Sequence, residues 1–177
     1  MSSEKELIKR CLQNDSEAQE KLYKLYAPKM FGVCLRYAKN HMEAEDVLQE
    51  GFIKVFLHLK DYRNEGSLEG WIRRTIVNTA INFYRKNIKS SKDLDIDSIE
   101  IANSDDETVL DQLSTRELLD AIRELPDGYR IVFNLNVLEG YTHKEIGQML
   151  SLSENTSKSQ LSRARQVLQK KLKNLLK

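Results

Sequence analysis

The side chains best suited to binding a charged ligand are concentrated near the C-terminal end of the 177-residue chain. From Asn155 to Lys177 there are seven basic residues and no acidic residue. Lysine and arginine contact phosphate groups, while hydroxyl and amide groups can hydrogen bond to phosphate or to base edges. This pattern predicts a surface that binds a polyanion. The donors at its start are Asn155, Thr156, Lys158, Ser159, Ser162 and Arg163.

A helix-turn-helix is predicted to position these donors. Thr142 can cap a short helix that runs to Leu150, and Glu145, three residues later, completes a capping box. Gly147 allows a following helix to approach closely, and Ser153 can cap a second helix that is free of acids. In such a pair the N-terminal residues of the second helix enter the major groove of DNA. The alternative is a helical hairpin with a solvated basic face.

A second candidate surface lies on the stretch "AEDVLQEGFIKVFLHL" (44–59), which carries apolar residues on two faces. On a helix, Ile53 and Leu57 lie among Asp46, Gln49 and Glu50, opposite the broad apolar stripe that faces the core. Aliphatic groups among acids predict a docking surface for a basic partner, whereas scattered surface apolar residues are the alternative. The predicted core stripe is Ala44, Val47, Leu48, Phe52, Val55, Phe56 and Leu59.

A third candidate surface lies on "LEGWIRRTIVNTAINFYRKN" (68–87), a predicted helix for which Ser67 is a plausible N-cap. One predicted face is apolar, and the other mixes cations, amides and an aromatic ring, a blend that suits a nucleic-acid strand. An ordinary exposed basic face is the alternative. The apolar face is predicted to contain Leu68, Ile72, Ile76, Thr79 and Phe83. The mixed face is predicted to contain Arg73, Arg74, Val77, Asn78, Ile81, Tyr84 and Arg85.

The composition predicts an all-α chain that folds as two small helical domains. Seven glycines and two prolines provide few turns for a β protein, and the abundant Leu, Lys, Glu, Gln and Arg favour helix. Near the N-terminus, Asp15 or Ser16 can cap a helix toward Tyr37, in which Pro28 predicts a kink or a break. From Ser90 to Asp111 there are eight acids and one base, which predicts a flexible linker. The predicted domains are residues 1–89 and 114–177, joined by an acidic linker at 90–113.

Several function classes are disfavoured by what the sequence lacks. It contains no run of about 18 apolar residues and no apolar signal core, so we expect a cytoplasmic protein without membrane insertion. Cys11 and Cys34 have no CxxC or Cys/His neighbour, so they are interpreted as reduced structural thiols. We expect no catalytic residues, metal or cofactor.

The order of these segments resembles a known family. "AEDVLQEGFIKVF", "GWIRRTIVNTAINFYRK", an acidic linker and "LPDGYRIVFNLNVLEGYTHKEIGQMLSLSENTSKSQLSRARQVL" are similar to bacterial RNA polymerase sigma factors of the extracytoplasmic-function (ECF) group of the sigma-70 family. The resemblance implies a non-catalytic transcription initiation factor. Its implied partners are core RNA polymerase, through the largest-subunit clamp helices and the second-largest-subunit flap, promoter DNA and an anti-sigma factor.

The resemblance also implies roles for individual residues. The polymerase-binding positions are Asp46, Gln49, Glu50 and Ile53. The positions that recognise and melt the minus-ten element are Tyr62, Arg63, Asn64, Ser67, Trp71, Arg74 and Asn78, and the loop 62–67 would hold a flipped-out base. The positions that contact the minus-thirty-five element are Thr156, Lys158, Ser159, Ser162, Arg163 and Arg165.

Three positions of the helix-turn-helix depart from the family pattern. Ser151 stands where glycine is common at the turn, and Gly147 stands where alanine is usual. Ser157 replaces a β-branched aliphatic residue near the start of the second helix, a change that bears on how tightly the two helices pair.

Two other function classes are compatible with parts of the chain. A helix-turn-helix regulator that acts without polymerase would account for residues 142–173, although it leaves Ile53 and Leu57 unexplained. An enzyme could use Glu43, Asp46 and Glu50 as metal ligands or as acid and base groups, but no further motif converges on them.

Overall fold

The structure is a computed structural model that describes residues 3–90 and 115–175. The chain forms two compact units, Met1–Phe83 and Tyr84–Lys177. Within the described ranges the regular structure is helical and there is no β-strand, which confirms the all-α prediction. The predicted linker, 90–113, lies outside the described residues except for Ser90. No helix in the described ranges has the length and the apolar character needed to cross a membrane.

The described part of the N-terminal unit contains four α-helices and one 3₁₀ turn, and α4 continues beyond the boundary of the unit. They are α1 (Ser3–Leu12), α2 (Ser16–Tyr37), α3 (His41–His58), the 3₁₀ turn (Leu59–Asp61) and α4 (Leu68–Ser90).

The core of this unit forms where α2 packs along α3 and α4 covers them. The Tyr23 and Phe52 rings meet edge to face with centroids 4.7 Å apart, a favourable aromatic geometry. Gly51 of α3 lies directly against the Ile76 side chain of α4, where a Cβ atom would clash. The largest side chains with less than 2% exposure in this unit are Leu22, Met30, Val47, Val55, Leu59, Leu68, Ile72, Ile76 and Val77.

Pro28 does not break α2, contrary to one of the two outcomes predicted for it. The helix begins after Asp15, whose carboxylate accepts the Ala18 N–H at 3.1 Å, and continues through Pro28 to Tyr37. A proline inside a helix removes one backbone hydrogen bond at substantial cost. The buried side chains on both sides of it, including Ala27 and Met30, offset that cost, because tertiary packing supplies most of the stability of a helix in a protein.

The two cysteines are consistent with structural thiols. Cys11 and Cys34 are buried and free of disulfide bonds. Burial disfavours the charged thiolate, and this raises the pKa of Cys34 to about 12. Cys34 is therefore protonated at neutral pH and behaves as a small apolar side chain.

The C-terminal unit is built around its last helix. Its described elements are α5 (Thr115–Arg123), α6 (Asp127–Phe133), a π-helical segment (Asn134–Leu138), α7 (His143–Leu150) and α8 (Glu154–Leu175). Helices α5, α6 and α7 each pack against α8. One apolar cluster joins α5 to α8 and contains Ala121, Ile122, Leu125, Ala164, Leu168 and Leu172.

A buried arginine ties α5 to α6. Arg130 is 3% exposed, forms an ion pair with Asp127 at 2.8 Å, and donates to the carbonyls of Arg123 at 3.2 Å and Leu125 at 3.3 Å. Carbonyls at the C-terminal end of a helix lack intrahelical partners. Arg130 satisfies the carbonyl of Arg123, the last residue of α5, and that of Leu125 just beyond the helix. Its buried charge is therefore compensated by hydrogen bonds as well as by Asp127.

Candidate functional site

The short helix α7 begins with the predicted capping box. The Thr142 hydroxyl accepts the Glu145 N–H at 3.3 Å, and the Glu145 carboxylate accepts the Thr142 N–H at 2.8 Å. The box satisfies two backbone donors at the start of the helix. This end of the helix-turn-helix is therefore set by residues that are close in sequence.

The turn between α7 and α8 is tight, and Gly147 makes it possible. The Leu152 N–H donates to the Gly147 carbonyl at 2.9 Å. A Cβ atom at Gly147 would come within 2.7 Å of the Leu152 carbonyl oxygen. The close approach predicted for Gly147 is present, but its neighbour is the backbone of the turn and not the body of α8. Ser151 adopts the left-handed conformation (φ 58°, ψ 43°) that helices often use to end.

The start of α8 differs from the prediction in one charge. Ser153 caps the helix, and its hydroxyl accepts the Thr156 N–H at 2.9 Å, as predicted. The helix was predicted to be free of acids, but it begins at Glu154. Glu154 pairs with Lys158 at 2.7 Å, and the hydrogen bond from Lys158 holds the pKa of Glu154 below its usual range. The first turn therefore carries both charges.

Ser157 joins the two helices through a hydrogen bond. It is fully buried, and its Oγ lies 2.9 Å from Nδ1 of His143 at the start of α7. The polar side chain at a position where the family usually has an aliphatic one is therefore satisfied. Hydrogen bonds have directional geometry, so this one orients α8 relative to α7.

The predicted minus-thirty-five residues lie on the outer part of α8. Lys158, Ser159, Ser162 and Arg165 are exposed, while Thr156 and Arg163 are half-buried. Some of their polar groups are already used within the helix. The Thr156 hydroxyl lies 2.7 Å from the Ser153 hydroxyl, and Ser159 donates to the Thr156 carbonyl at 3.0 Å.

Helix α3 presents the two faces predicted for it. Ile53 is 60% exposed and Leu57 is 66% exposed, so neither side chain belongs to the core. Asp46 and Gln49 are exposed beside them, and Glu50 pairs with Lys54 at 2.7 Å. Of the predicted core stripe, Phe56 is half-buried, and the buried members are Ala44, Val47, Leu48, Phe52, Val55 and Leu59.

Met42 was missed as a member of this exposed face. It lies in the first turn of α3 and is 72% exposed. At about 100° per residue it lies within about 20° of Ile53 around the helix. The two-faced pattern was predicted on residues 44–59, and Met42 lies two residues before that stretch. A helix start taken from the Asn40 N-cap, whose side chain accepts the Glu43 N–H at 2.8 Å, would have included it.

A groove of about 440 Å³ lies between α4 and the end of α3. Three predicted minus-ten residues line it: Trp71, Arg74 and Asn78. The groove also includes six residues that were not predicted for this surface, and three of them come from α3 and the 3₁₀ turn. These are Lys54, His58, Asp61, Thr75, Thr79 and Asn82. Cations, amides and one indole ring therefore surround the same space.

Two residues predicted for the mixed face of α4 belong to the core instead. Val77 is 1% exposed and Ile81 is 3% exposed. The buried side of α4 is wider than one apolar stripe, as expected for a helix that packs against more than one neighbour. The exposed part of the face is consequently more polar than predicted, and it includes Arg74 and Asn78.

The loop before α4 is held by its own hydrogen bonds. The Tyr62 hydroxyl donates to the Gly66 carbonyl at 2.8 Å, and its ring packs near Trp71 with centroids 5.7 Å apart. Ser67 accepts the Gly70 N–H at 3.1 Å, which confirms it as the cap of α4. Arg63 and Asn64 are exposed at the tip of the loop.

The carboxylates considered for an enzyme do not converge. Glu43 accepts the backbone N–H of Lys39, and Glu50 is paired with Lys54. Among the described residues there is no group of three or more His, Cys, Asp or Glu side chains that could hold a metal ion.

Comparisons with known proteins cover both units. The family model described as Sigma-70 region 2 matches residues 22–89, and the model described as Sigma-70, region 4, matches residues 115–168. The chain is similar to the ECF RNA polymerase sigma-E factor of Haemophilus influenzae, with 28% identity over 96% of this chain and 95% of that protein. It is also similar to the RNA polymerase sigma-H factor of Pseudomonas aeruginosa, with 26% identity over 98% and 95%.

A solved structure has a similar fold. It is the sigma factor RpoE in complex with the anti-sigma factor NepR from Bartonella quintana, with a TM-score of 0.53 and 22% identity over 87% of this chain and 96% of that chain. The two regions match in order, and the relatives align along almost the whole chain. The chain therefore belongs to the ECF group of the sigma-70 family of RNA polymerase sigma factors.

Proposed function

We propose that this sigma factor directs RNA polymerase to promoters through one main docking surface for polymerase and two surfaces for DNA. As a member of its family the chain is a transcription initiation factor that binds RNA polymerase and recognises promoters. The observation that carries the proposal is that matches to region 2 and region 4 occur in one chain, at 22–89 and 115–168. Polymerase supplies the chemistry, so the chain itself needs no catalytic residue or cofactor.

The exposed face of α3 is the proposed docking surface for core polymerase. Ile53 and Leu57 provide apolar area that a partner can cover. Asp46, Gln49 and Glu50 surround them. The two carboxylates favour a basic partner and fix its orientation. The clamp helices of the largest subunit are the proposed partner.

The groove beside α4 is the proposed minus-ten surface. Trp71 offers a ring on which a base can stack, a contact worth about 1–3 kcal/mol. Asn78 offers an amide to base edges, and Arg74 with Lys54 offers charge to phosphates. The loop with Tyr62, Arg63, Asn64 and Ser67 would hold a base flipped out of the stack, which costs a few kcal/mol of stacking.

The outer face of α8 is the proposed minus-thirty-five surface. Thr156, Lys158, Ser159, Ser162 and Arg163 would meet the major groove, and Arg165 would contact a phosphate. The C-terminal unit is also proposed to rest on the flap of the second-largest subunit. Because one chain contacts both DNA elements, the second contact is intramolecular once the first has formed. Two weak individual contacts together therefore give a higher overall affinity.

The remaining partners follow from family membership. An anti-sigma factor is a proposed inhibitor, since the sigma factor of similar fold is solved in complex with one. Because polymerase and promoter DNA are cytoplasmic in bacteria, the chain is proposed to act in the cytoplasm.

Reconstitution with core polymerase tests the proposal. The protein is mixed with bacterial core polymerase and a promoter library, and run-off transcripts are sequenced. Transcripts that start downstream of a shared pair of elements support it. Failure to bind core polymerase would reject it, and DNA binding without core would favour a regulator that acts alone.

A further inference from the structure

The side of α8 that points away from the core carries a ridge of small polar side chains. Asn155, Ser159 and Ser162 follow one another at intervals of four and three residues, so they share one face of the helix. All three side chains are exposed. The opposite side contains Ser157, Leu161, Ala164 and Leu168, which are buried in the unit. Asn155 is the member of the ridge closest to the start of α8. The first residues of a recognition helix reach deepest toward base edges.

Asn155 differs from Thr156, Lys158 and Ser159 in having its polar atoms available. Thr156 is engaged with Ser153, Ser159 with the Thr156 carbonyl, and Lys158 with Glu154. Within residues 3–90 and 115–175, the Asn155 side chain makes no hydrogen bond. Its carbonyl oxygen and its amide group can therefore both be presented to a ligand.

We propose that Asn155 reads one adenine in the minus-thirty-five element, an inference that rests on the proposed function of α8. In the major groove adenine presents the N6 amino donor beside the N7 acceptor, and an asparagine amide complements both at once. Guanine presents two acceptors, O6 and N7, which an asparagine can satisfy only in part.

The experiment uses holoenzyme made from the full chain and core polymerase. Promoters randomised across the minus-thirty-five element are transcribed by the wild type and by variants, and base preference is measured at each position. For Asn155→Ala we expect the adenine preference at one position to fall by about 5- to 150-fold, with other positions unchanged. For Asn155→Asp we expect that position to change toward cytosine, because a carboxylate accepts from the cytosine N4 amino group.

The control is Gln169→Ala, which removes an amide from the same helix 14 residues further on, and we expect it to preserve all base preferences. Thermal unfolding checks that each variant is folded, and Asn155→Asp introduces its acid near a helix N-terminus, where the helix dipole favours one. The inference is overturned if Asn155→Ala retains the adenine preference or lowers transcription equally on every promoter. A wild-type holoenzyme without any minus-thirty-five preference would instead reject the proposed function of α8.

Discussion

The exposed face of α3 and the outer face of α8 depend on the rest of their units in different ways. On α3, Ile53 and Leu57 point into solvent, while separate residues of the same helix, such as Val55, make the core. On α8, the position of the polar ridge depends on contacts that α7 and the turn make with each other and with the buried side of α8. The Gly147 contact with the turn and the Ser157 hydrogen bond to His143 determine where that face points.

This difference predicts two kinds of variant. On α3, binding and stability are carried by different side chains, so a substitution can remove one and spare the other. On α8, a substitution behind the reading face changes both, because the tilt of the helix and the packing of the unit depend on the same contacts.

The double substitution Ile53→Ser and Leu57→Ser should weaken core polymerase binding by about 30-fold or more, as expected for loss of interface residues worth at least 2 kcal/mol. Both side chains are more than half exposed, so thermal stability should change by less than about 0.5 kcal/mol per site. Competition binding to core polymerase measures the first quantity, and calorimetry measures the second.

Leu25→Ser is the matched control, since Leu25 is 61% exposed in the same unit but lies on α2. It should leave polymerase affinity unchanged. Equal losses from Leu25→Ser and from the double variant would show that general surface hydrophobicity, and not the α3 face, is responsible.

Gly147→Ala should destabilise the C-terminal unit by about 1–3 kcal/mol, the usual cost of overpacking. The new Cβ atom would meet a backbone oxygen at 2.7 Å, which cannot rotate away as a side chain can. Denaturant unfolding of the full chain, monitored by hydrogen exchange in α7 and α8, measures the loss.

Gly32→Ala, on α2, is the control. Its new Cβ atom meets nothing within 4 Å, so this variant should gain about 0.5–1 kcal/mol of helix stability. A gain for both variants would contradict the tight turn.

Ser157→Ala should cost about 1 kcal/mol, the typical net value of one hydrogen bond. The cost arises because the bond to His143 at 2.9 Å is lost inside the unit. A double-mutant cycle with His143→Ala measures the interaction directly, and a coupling energy of about 0.5–1.5 kcal/mol is expected. Additive effects of the two substitutions would mean that the serine and the histidine do not hold α8 against α7.

Ser151→Gly should stabilise the C-terminal unit by about 0.5 kcal/mol. A non-glycine residue in the left-handed region costs about 1–2 kcal/mol, and glycine removes this cost. Glycine also has greater freedom in the unfolded chain, which lowers the net gain in stability. The midpoint of thermal unfolding measures the shift. Asn64→Gly is the comparison, since Asn64 also has a positive φ of 56° but asparagine tolerates this region better than serine. A larger gain at Asn64 than at Ser151 would go against this explanation.

Local features of the fold were predictable because their partners are close in sequence. Thr142 with Glu145, Ser153 with Thr156, and Ser67 with Gly70 are each three residues apart, and all three caps were predicted. The exposed position of Ile53 was also predictable, since helical periodicity separates it from the residues of the core stripe. The residue roles carried over from the family remain predictions.

Contacts between distant residues were not predictable from periodicity. His143 and Ser157 meet across a turn, and Lys54 shares a groove with Trp71 only because α3 and α4 lie side by side. Val77 and Ile81 were placed on the wrong face of α4, because periodicity gives the direction of a side chain but not the number of neighbours that cover it.

Composition, caps and apolar periodicity were enough to establish an all-α chain with a helix-turn-helix and a two-faced helix. These signals act within about four residues, the span of one helical turn. The tilt of α8, the extent of the groove and the neighbours of each apolar face depend on which helices pack together. These features depend on burial and side-chain contacts between residues that are far apart in the chain, and a local sequence pattern does not contain that information.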